Sequence, residues 1–490
     1  MGRVVEEKDK TWGAGLKEIV LTPTRIEGHL TVKVVLEGRR VVEAFTSGTM
    51  YRGIELLMRG RTLADAVFLA SRVCGVCSLP HSLASVTAME RALGIVPPPA
   101  AIILRNLMMY AYLIYDHILH CCILAGPDYA PPHGVIEDLK WGEGKVFLEG
   151  LKMQRKALEA SAIFSGKFPH SASIIVGGVS VNLDPQKLFT FASRLKEAKK
   201  WVMEVMIPTF EKLHEKYSSE LISGEREANL ITYGVLDDTS LDPARRVFKP
   251  GVIINGALIT TDLFNEIEPY VQEDTTYTYQ GRELGNTSLE HRKYSYVKAP
   301  RYRGYVMETG PLARLWVNAL LSGGKIRVET IEWKPPRKPN TVERVYARAF
   351  ETAFLCSRVF DEIENALEML RKREELVTWI PWREVRGESS GVGLIEAARG
   401  ALKHRVEAGN FTVKSYEIIS PTTWNASPRD KYGKRGAVEE ALVNTEIQSN
   451  DPAVDIVRVV RAFDPCMACA VHYITISRGS PEIRAATISA

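Results

Sequence analysis

The sequence predicts a mainly α chain with small peripheral β-sheets, an α+β fold in which long helices bundle around a buried centre. Three observations carry this. Apolar residues recur at helical spacing near residues 52–70, 81–93, 101–125, 145–163, 185–217 and 341–374. Strand-like alternation is confined to short pieces. A Cys-x-x-Cys pair stands near each end of the chain, Cys74/Cys77 and Cys466/Cys469, each with a histidine downstream, His81 and His472.

Taken in order, Leu30–Glu37 and Val41–Phe45 alternate around Gly38-Arg39-Arg40, which predicts an N-terminal hairpin. The most apolar stretch is Ala101–Gly126, and about 20 apolar residues are enough for a membrane span. Arg105, Asn106, Asp116, His117 and His120 interrupt it, so it reads as a core helix that turns polar groups inward, and no membrane span is expected. Asp184-Pro185 supplies an N-cap and an N1 proline for the helix over 185–217. Further strand-like pieces fall at 252–260, 325–333 and 410–419. No Ser/Gly-rich run, low-complexity tract or repeat divides the chain, so one intertwined unit is expected despite its 490 residues.

The charge balance, 63 basic against 59 acidic residues, gives neither a nucleic-acid footprint nor a membrane-surface patch. The opening MGRVVEEKDK has no apolar core segment, so no signal peptide is expected and localisation stays open.

The cysteine pairs are the chemical signal. Cysteines three residues apart can aim both sulfurs at one point, and two such pairs can complete a four-sulfur cage around a soft metal. A structural zinc knuckle draws its pairs from one stretch, roughly 15–20 residues apart. Here most of the chain lies between Cys77 and Cys466, which points to a catalytic centre assembled only on folding. Covalent c-type haem needs histidine directly after the second cysteine, where Ser78 and Ala470 stand. A thioredoxin-like pair would leave Cys466 and Cys469 unexplained, and seven cysteines are too few for a disulfide scaffold.

Around these residues the chain resembles the nickel–iron hydrogenase large subunit. RVCGVCSLPH (Arg72–His81) and DPCMACAVH (Asp464–His472) look like its two signatures. RIEGHL (Arg25–Leu30), SGTMYRGIE (Ser47–Glu55), YDHILH (Tyr115–His120), APRYRGYVMETGPLARLW (Ala299–Trp316), GVGLIEAARGAL (Gly391–Leu402) and PTTWNASPRD (Pro421–Asp430) resemble its other blocks, in the family's order.

The resemblance implies that Cys74 and Cys466 bind nickel terminally while Cys77 and Cys469 bridge it to an iron carrying carbon monoxide and cyanide. It makes Arg399 the guanidinium above the metals, with Asp116 and Asp464 holding it; Ala398 stands where the family usually has proline. It makes Glu27 the proton relay, in a heterolytic cleavage of H2 that sends the proton to Cys466 or Arg399. Glu55, the backbone carbonyl of Ile418 and His472 match a second site holding magnesium (or iron). Thr422 would donate to a cyanide, and His81 would hydrogen-bond a bridging sulfur. Without the resemblance, Glu55 reads as a solvated helix acid, Glu27 as a partner of Arg25, and His81, His117 and His120 as packed core histidines.

Cys121, Cys122 and Cys356 remain, too few for an ordinary iron–sulfur cluster, and there is no G-x-G-x-x-G between a strand and a helix. Electrons from H2 are therefore expected to leave through a small subunit bearing iron–sulfur clusters, and any export or membrane tether would come from that partner. The family's mature large subunit ends at the signature histidine. That implies one domain over residues 1–472, and an extension over 473–490 that a maturation protease removes once nickel-insertion proteins have acted. Two alternatives stay open at this point. One is a related quinone-reductase-type subunit of a membrane complex, whose kind lacks the four cysteines; the other is a zinc-stabilised scaffold protein.

Overall fold

The computed structural model describes residues 4–5, 15–218, 223–279, 293–382, 387–443 and 445–471. His472 and the extension 473–490 lie outside the described residues.

Five helical stretches build the centre: Pro99–Ile118, Lys145–Ser165, Pro185–Trp201, Ile207–Tyr217 and the 32-residue Thr341–Lys372. They pack on one another, with Thr341–Lys372 touching Pro99–Ile118, Pro185–Trp201 and Ile207–Tyr217. Their starts are written locally. Asp184 accepts from Lys187 N–H and Asn340 from Glu343 N–H, satisfying amides that have no partner within the helix.

Three of the expected helices are interrupted, for identifiable reasons. The helix over 52–70 splits into Ile54–Met58 and Leu63–Ala70 because Arg59 is extended and Gly60 takes φ +76° before the Thr62 cap. The helix over 185–217 carries a wide turn at Val202–Met206, just before Pro208, which has no N–H to offer the preceding turn. Leu119–Ala125 widens in the same way ahead of Pro127. The stretch Pro99–Tyr129 is long and apolar enough to cross a membrane, but 89% of its most apolar window is buried inside the protein. A core helix accounts for it.

The sheets are small and antiparallel. Val4–Val5, Leu16–Leu21, Leu30–Glu37 and Arg40–Gly48 form a four-stranded meander. Its apolar residues, Val32 and Val34 among them, join Ile456 and Val459 of the C-terminal helix Pro452–Ala462 in one cluster, with helix Ala437–Leu442 touching both, so the two ends of the chain share one core. The pieces at 252–260 and 325–333 are present as paired short strands.

A three-stranded sheet, Glu388–Ala397, Gly400–Gly409 and Thr412–Ile419, exceeds the expectation of one strand near 410–419. Around their shared turn, residues 393–404 are buried on both faces, so alternation does not betray the two strands there. Helix Ser78–Leu93 lies on this sheet so closely that a Cβ at Gly393 would fall 1.9 Å from the Ala84 carbonyl oxygen.

Candidate metal centre

Each cysteine pair is placed by a short turn. Ser71–Val73 ends at an extended Cys74, and Cys77 stands at the N-terminal end of helix Ser78–Leu93. The amides of Val76 and Cys77 both point at Cys74 Sγ, at 3.2 and 3.3 Å. Cys466 precedes the turn Met467–Cys469. This second segment lies beside the loop that carries Glu27: Glu27 N–H donates to the Pro465 carbonyl, and Met467 N–H donates to the Glu27 carbonyl. Gly28, at φ +78°, permits the approach, since a Cβ there would sit 3.0 Å from Met467 Cβ.

The result brings four sulfurs from opposite ends of the chain within 4.8 Å of one another, all buried. Cys466 Sγ lies 2.9 Å from Cys469, 3.3 Å from Cys74 and 3.9 Å from Cys77, and Cys77 lies 3.0 Å from Cys469. All four are free cysteines, at separations well beyond the roughly 2.05 Å of a disulfide. Left to themselves, four such thiols cannot all ionise. S–H donation from Cys466, Cys469 and Cys77 holds Cys74 well below the ordinary thiol range. Burial pushes Cys77 up to about 11 and raises Cys466 and Cys469 well above the ordinary thiol range. A bound soft dication removes that conflict by taking the thiolate charge. The donor set fits a nickel–iron pair.

Arg399, whose charge reaches Cys466, stands at the tip of the hairpin between Ala397 and Gly400, which pair directly across a two-residue turn. Gly400 takes φ +126° there, and a Cβ on it would strike Thr309 Oγ1 at 2.4 Å. Arg399 Nη1 donates to Asp116 Oδ2 at 3.0 Å, and its Nε forms an ion pair with Asp464 Oδ2 at 3.1 Å without hydrogen-bond alignment. The sequence does not single out Arg348, which stands 3.0 Å from Asp464 and 3.7 Å from Asp116. Against the upward push of burial, Arg399 and Arg348 hold Asp464 down at about 2; for Asp116 burial prevails and the carboxyl is raised. Arg399 is raised well above its ordinary value, because its carboxylates outweigh desolvation, and is a permanent cation.

Glu27 Oε2 lies 3.1 Å from Cys466 Sγ and accepts the Ala468 amide at 3.0 Å. Burial, then the Cys74 charge, raises this carboxyl above the usual range. Thr422 Oγ1 accepts the Cys466 amide at 2.9 Å. His81 Nε2 stands 3.4 Å from Cys469 Sγ. The other two histidines face away from the sulfurs: His117 bridges Arg348 and Glu351, and His120 meets the Arg461 carbonyl.

Glu55 is not a solvated acid. Its Oε1 accepts the Ile418 amide at 2.7 Å and pairs with Lys298 at 3.1 Å; Lys298 also pairs with Glu273. Burial raises Glu55 and pushes Glu273 up to about 7. It is the Ile418 N–H that meets Glu55, and His472 falls outside the described residues.

The comparisons agree with this geometry. The family model described as nickel-dependent hydrogenase matches residues 52–139 and 143–472. The periplasmic [NiFeSe] hydrogenase large subunit of Desulfomicrobium baculatum is 32% identical over 96% of this chain and 97% of that protein. The hydrogenase-1 large chain of Escherichia coli (strain K12) is 30% identical over 94% and 96%. Among solved structures, the Ni-Fe-Se hydrogenase of D. vulgaris Hildenborough in the reduced state superposes with a TM-score of 0.82 at 31% identity, covering 94% of this chain and 100% of that one. A zinc scaffold is not what these relatives are, and the four cysteines stand where a quinone-reductase-type subunit would lack them. With sulfur at all four positions and both signatures closed onto one point, this chain belongs to the nickel-dependent hydrogenases, as a large, catalytic subunit acting on H2.

Proposed function

We propose that the chain carries out H2 ⇌ 2H+ + 2e− by heterolytic cleavage at a nickel–iron pair. Cys74 and Cys466 would be terminal on nickel, Cys77 and Cys469 would bridge to iron, and electrons would leave through an iron–sulfur small subunit. The observation that carries this is the convergence of four buried sulfurs on one point, with the charge of a guanidinium fixed by Asp116 reaching Cys466. When bound, the metal pair supplies the Lewis acidity and the redox capacity for H2; carbon monoxide and cyanide complete the iron.

The chain's own residues do the rest. Cys466 Sγ is the first proton acceptor, and Glu27, in hydrogen-bond contact with it, takes the proton on. Burial raises its pKa, so it holds a proton more readily than an ordinary carboxylate. Arg399, a permanent cation between two carboxylates, stabilises developing negative charge and does not act as a base, so the route through Cys466 and Glu27 is favoured over one through Arg399. Thr422 spends its oxygen on the Cys466 amide, which frees its proton to donate to a cyanide. Glu55, the Ile418 carbonyl and His472 would hold magnesium. In support, Glu55 and Glu273 pair with Lys298, and Glu268 and Glu417 pair with Lys403, with Arg405 also beside Glu417; four carboxylates against these three cations suit a hard cation.

The same reading makes residues 1–472 one domain and 473–490 an extension removed on maturation by a protease, after nickel-insertion proteins have acted. The family match ends at residue 472, and Phe463–Val471 is buried, which leaves little room for a chain leading out.

Elemental analysis with intact-mass measurement on the active complex tests the proposal. We expect nickel, iron and magnesium in a chain ending at His472, and a Cys469→Ser chain without nickel and without H2 oxidation. Zinc alone, or normal nickel and turnover in Cys469→Ser, overturns it.

A further inference from the structure

Asp116 and Asp464 hold Arg399, and both are shared with a second guanidinium. Asp464 Oδ2 lies 3.1 Å from Arg399 Nε and 3.0 Å from Arg348 Nη1. Asp116 accepts from Arg399 at 3.0 Å and stands 3.7 Å from the same Arg348 Nη1. Two cations thus compete for one pair of anions, and the balance depends on what else occupies Arg348.

His117 occupies it. Arg348 Nη1 lies 3.2 Å from His117 Nδ1, and His117 Nε2 lies 2.9 Å from Glu351 Oε1. Glu351 in turn grips Arg314, whose Nε and Nη2 donate to its Oε1 at 3.0 and 2.7 Å. Arg314 also donates to Glu396 at 2.6 Å and to the carbonyls of Ala397 and Ala398, each at 3.0 Å. Those two carbonyls immediately precede Arg399. The contacts therefore close into a ring, from the backbone before Arg399 through Arg314, Glu351, His117 and Arg348 to the aspartates and back to the Arg399 guanidinium. Helix Pro311–Leu321 supplies Arg314, helix Thr341–Lys372 supplies Arg348 and Glu351, and the end of helix Pro99–Ile118 supplies Asp116 and His117. His117, Glu351 and Arg314 are fully buried and Arg348 is 2% exposed, so bulk water cannot stand in for a lost member.

We propose that His117 is a positioning residue for Arg399: by occupying Arg348, it leaves Asp116 and Asp464 to the Arg399 guanidinium. The inference rests on the reading above, in which Arg399 acts at the metals.

The ring admits one arrangement of protons. A guanidinium only donates and a carboxylate only accepts. His117 must therefore accept at Nδ1 and donate at Nε2, which makes it neutral with its proton on Nε2. Burial agrees, lowering its pKa to about 4. Against the upward push of burial, Arg314 and then His117 hold Glu351 at about 2, a carboxylate throughout. Without the His117 ring, Arg348 Nη1 loses its acceptor in an interior where an unpaired donor is costly. The nearest replacements are Asp464 and Asp116, at 3.0 and 3.7 Å. Arg399 Nε faces Asp464 without hydrogen-bond alignment, so it is Arg399 that yields and turns away.

The test combines crystal structures with H2-oxidation kinetics on the anaerobic complex of large and small subunits, comparing the parent with His117→Gln and His117→Leu. Glutamine again offers one acceptor and a donor, and leucine offers neither. We expect parental nickel content in both. In His117→Leu, Arg399 should turn from Asp464 and turnover per nickel should fall by about 10- to 10²-fold, with KM for H2 unchanged. His117→Gln should restore the parental Arg399 conformer and most of the turnover. A histidine that merely packs would change stability alone; an unmoved Arg399 with parental turnover per nickel in His117→Leu overturns the inference. So does a glutamine variant that displaces Arg399 as far as leucine does. If His117→Leu takes up no nickel, Arg348→Lys decides, since lysine keeps the charge but cannot reach His117 and Asp464 with one planar fork: a displaced Arg399 supports the inference, and parental geometry with parental turnover overturns it. Absence of nickel from the parent would instead overturn the metal reading, while the Arg399 conformers in the same crystals would still decide this one.

Discussion

Arg399 shows what a single residue contributes when it cannot move. Two carboxylates and a two-residue turn hold its guanidinium, so its value lies in planar, fixed donors as well as charge. Lysine keeps the charge and loses the fork. Arg399→Lys should load metal normally and lose turnover by about 10²- to 10³-fold, the usual worth of one preorganised donor; elemental analysis alongside H2 oxidation separates the two effects. Glu27→Gln keeps an oxygen for the Ala468 amide but cannot take a proton from Cys466. It should retain metal and slow H/D exchange with solvent by about 10²- to 10⁴-fold; unchanged exchange would place the relay elsewhere. At this scale the sequence was legible wherever chemistry forces a spacing, as in the cysteine pairs. It was not legible at Arg348, Glu351 and Arg314. A charged residue on the inner face of a helix or strand looks, in one dimension, like one on the outer face.

Among elements, the N-terminal hairpin could be read because one of its faces is packed and the other is partly exposed, whereas the hairpin carrying Arg399 could not, being covered on both around its turn. The short helix Ala437–Leu442 adds a pH dependence. Its Glu439 is fully buried and accepts from the Thr46 amide and the Tyr294 hydroxyl, tying this helix to strand Arg40–Gly48. Burial raises its pKa to about 7. A carboxyl raised on folding contributes stability that is complete below its unfolded value near 4.5 and is lost as pH climbs through about 7, a loss of up to about 3 kcal/mol. Glutamine has no proton to lose and can still accept both bonds. Glu439→Gln should therefore match the parent in thermal melts at pH 5 and melt higher at pH 8. A lower melt at pH 8 would mean that the Arg429 charge, 3.9 Å away, outweighs burial.

On the scale of the molecule, the N-terminal meander and the C-terminal helix share a core, and the sulfurs beside it come from positions 389 residues apart along the chain, Cys77 and Cys466. A metal held by both is a cross-link over that entire loop, and cross-links act on the unfolded chain by denying it open conformations. Treated as a disulfide would be, a closure of this length is worth about 6 kcal/mol. Stripping the metal anaerobically should lower the melting temperature of the whole chain, measured by calorimetry, and should loosen residues 25–30 and 464–471 together; equal melts with and without metal would refute this. The centre that handles hydrogen is then also the clasp that keeps the two ends of the protein from parting.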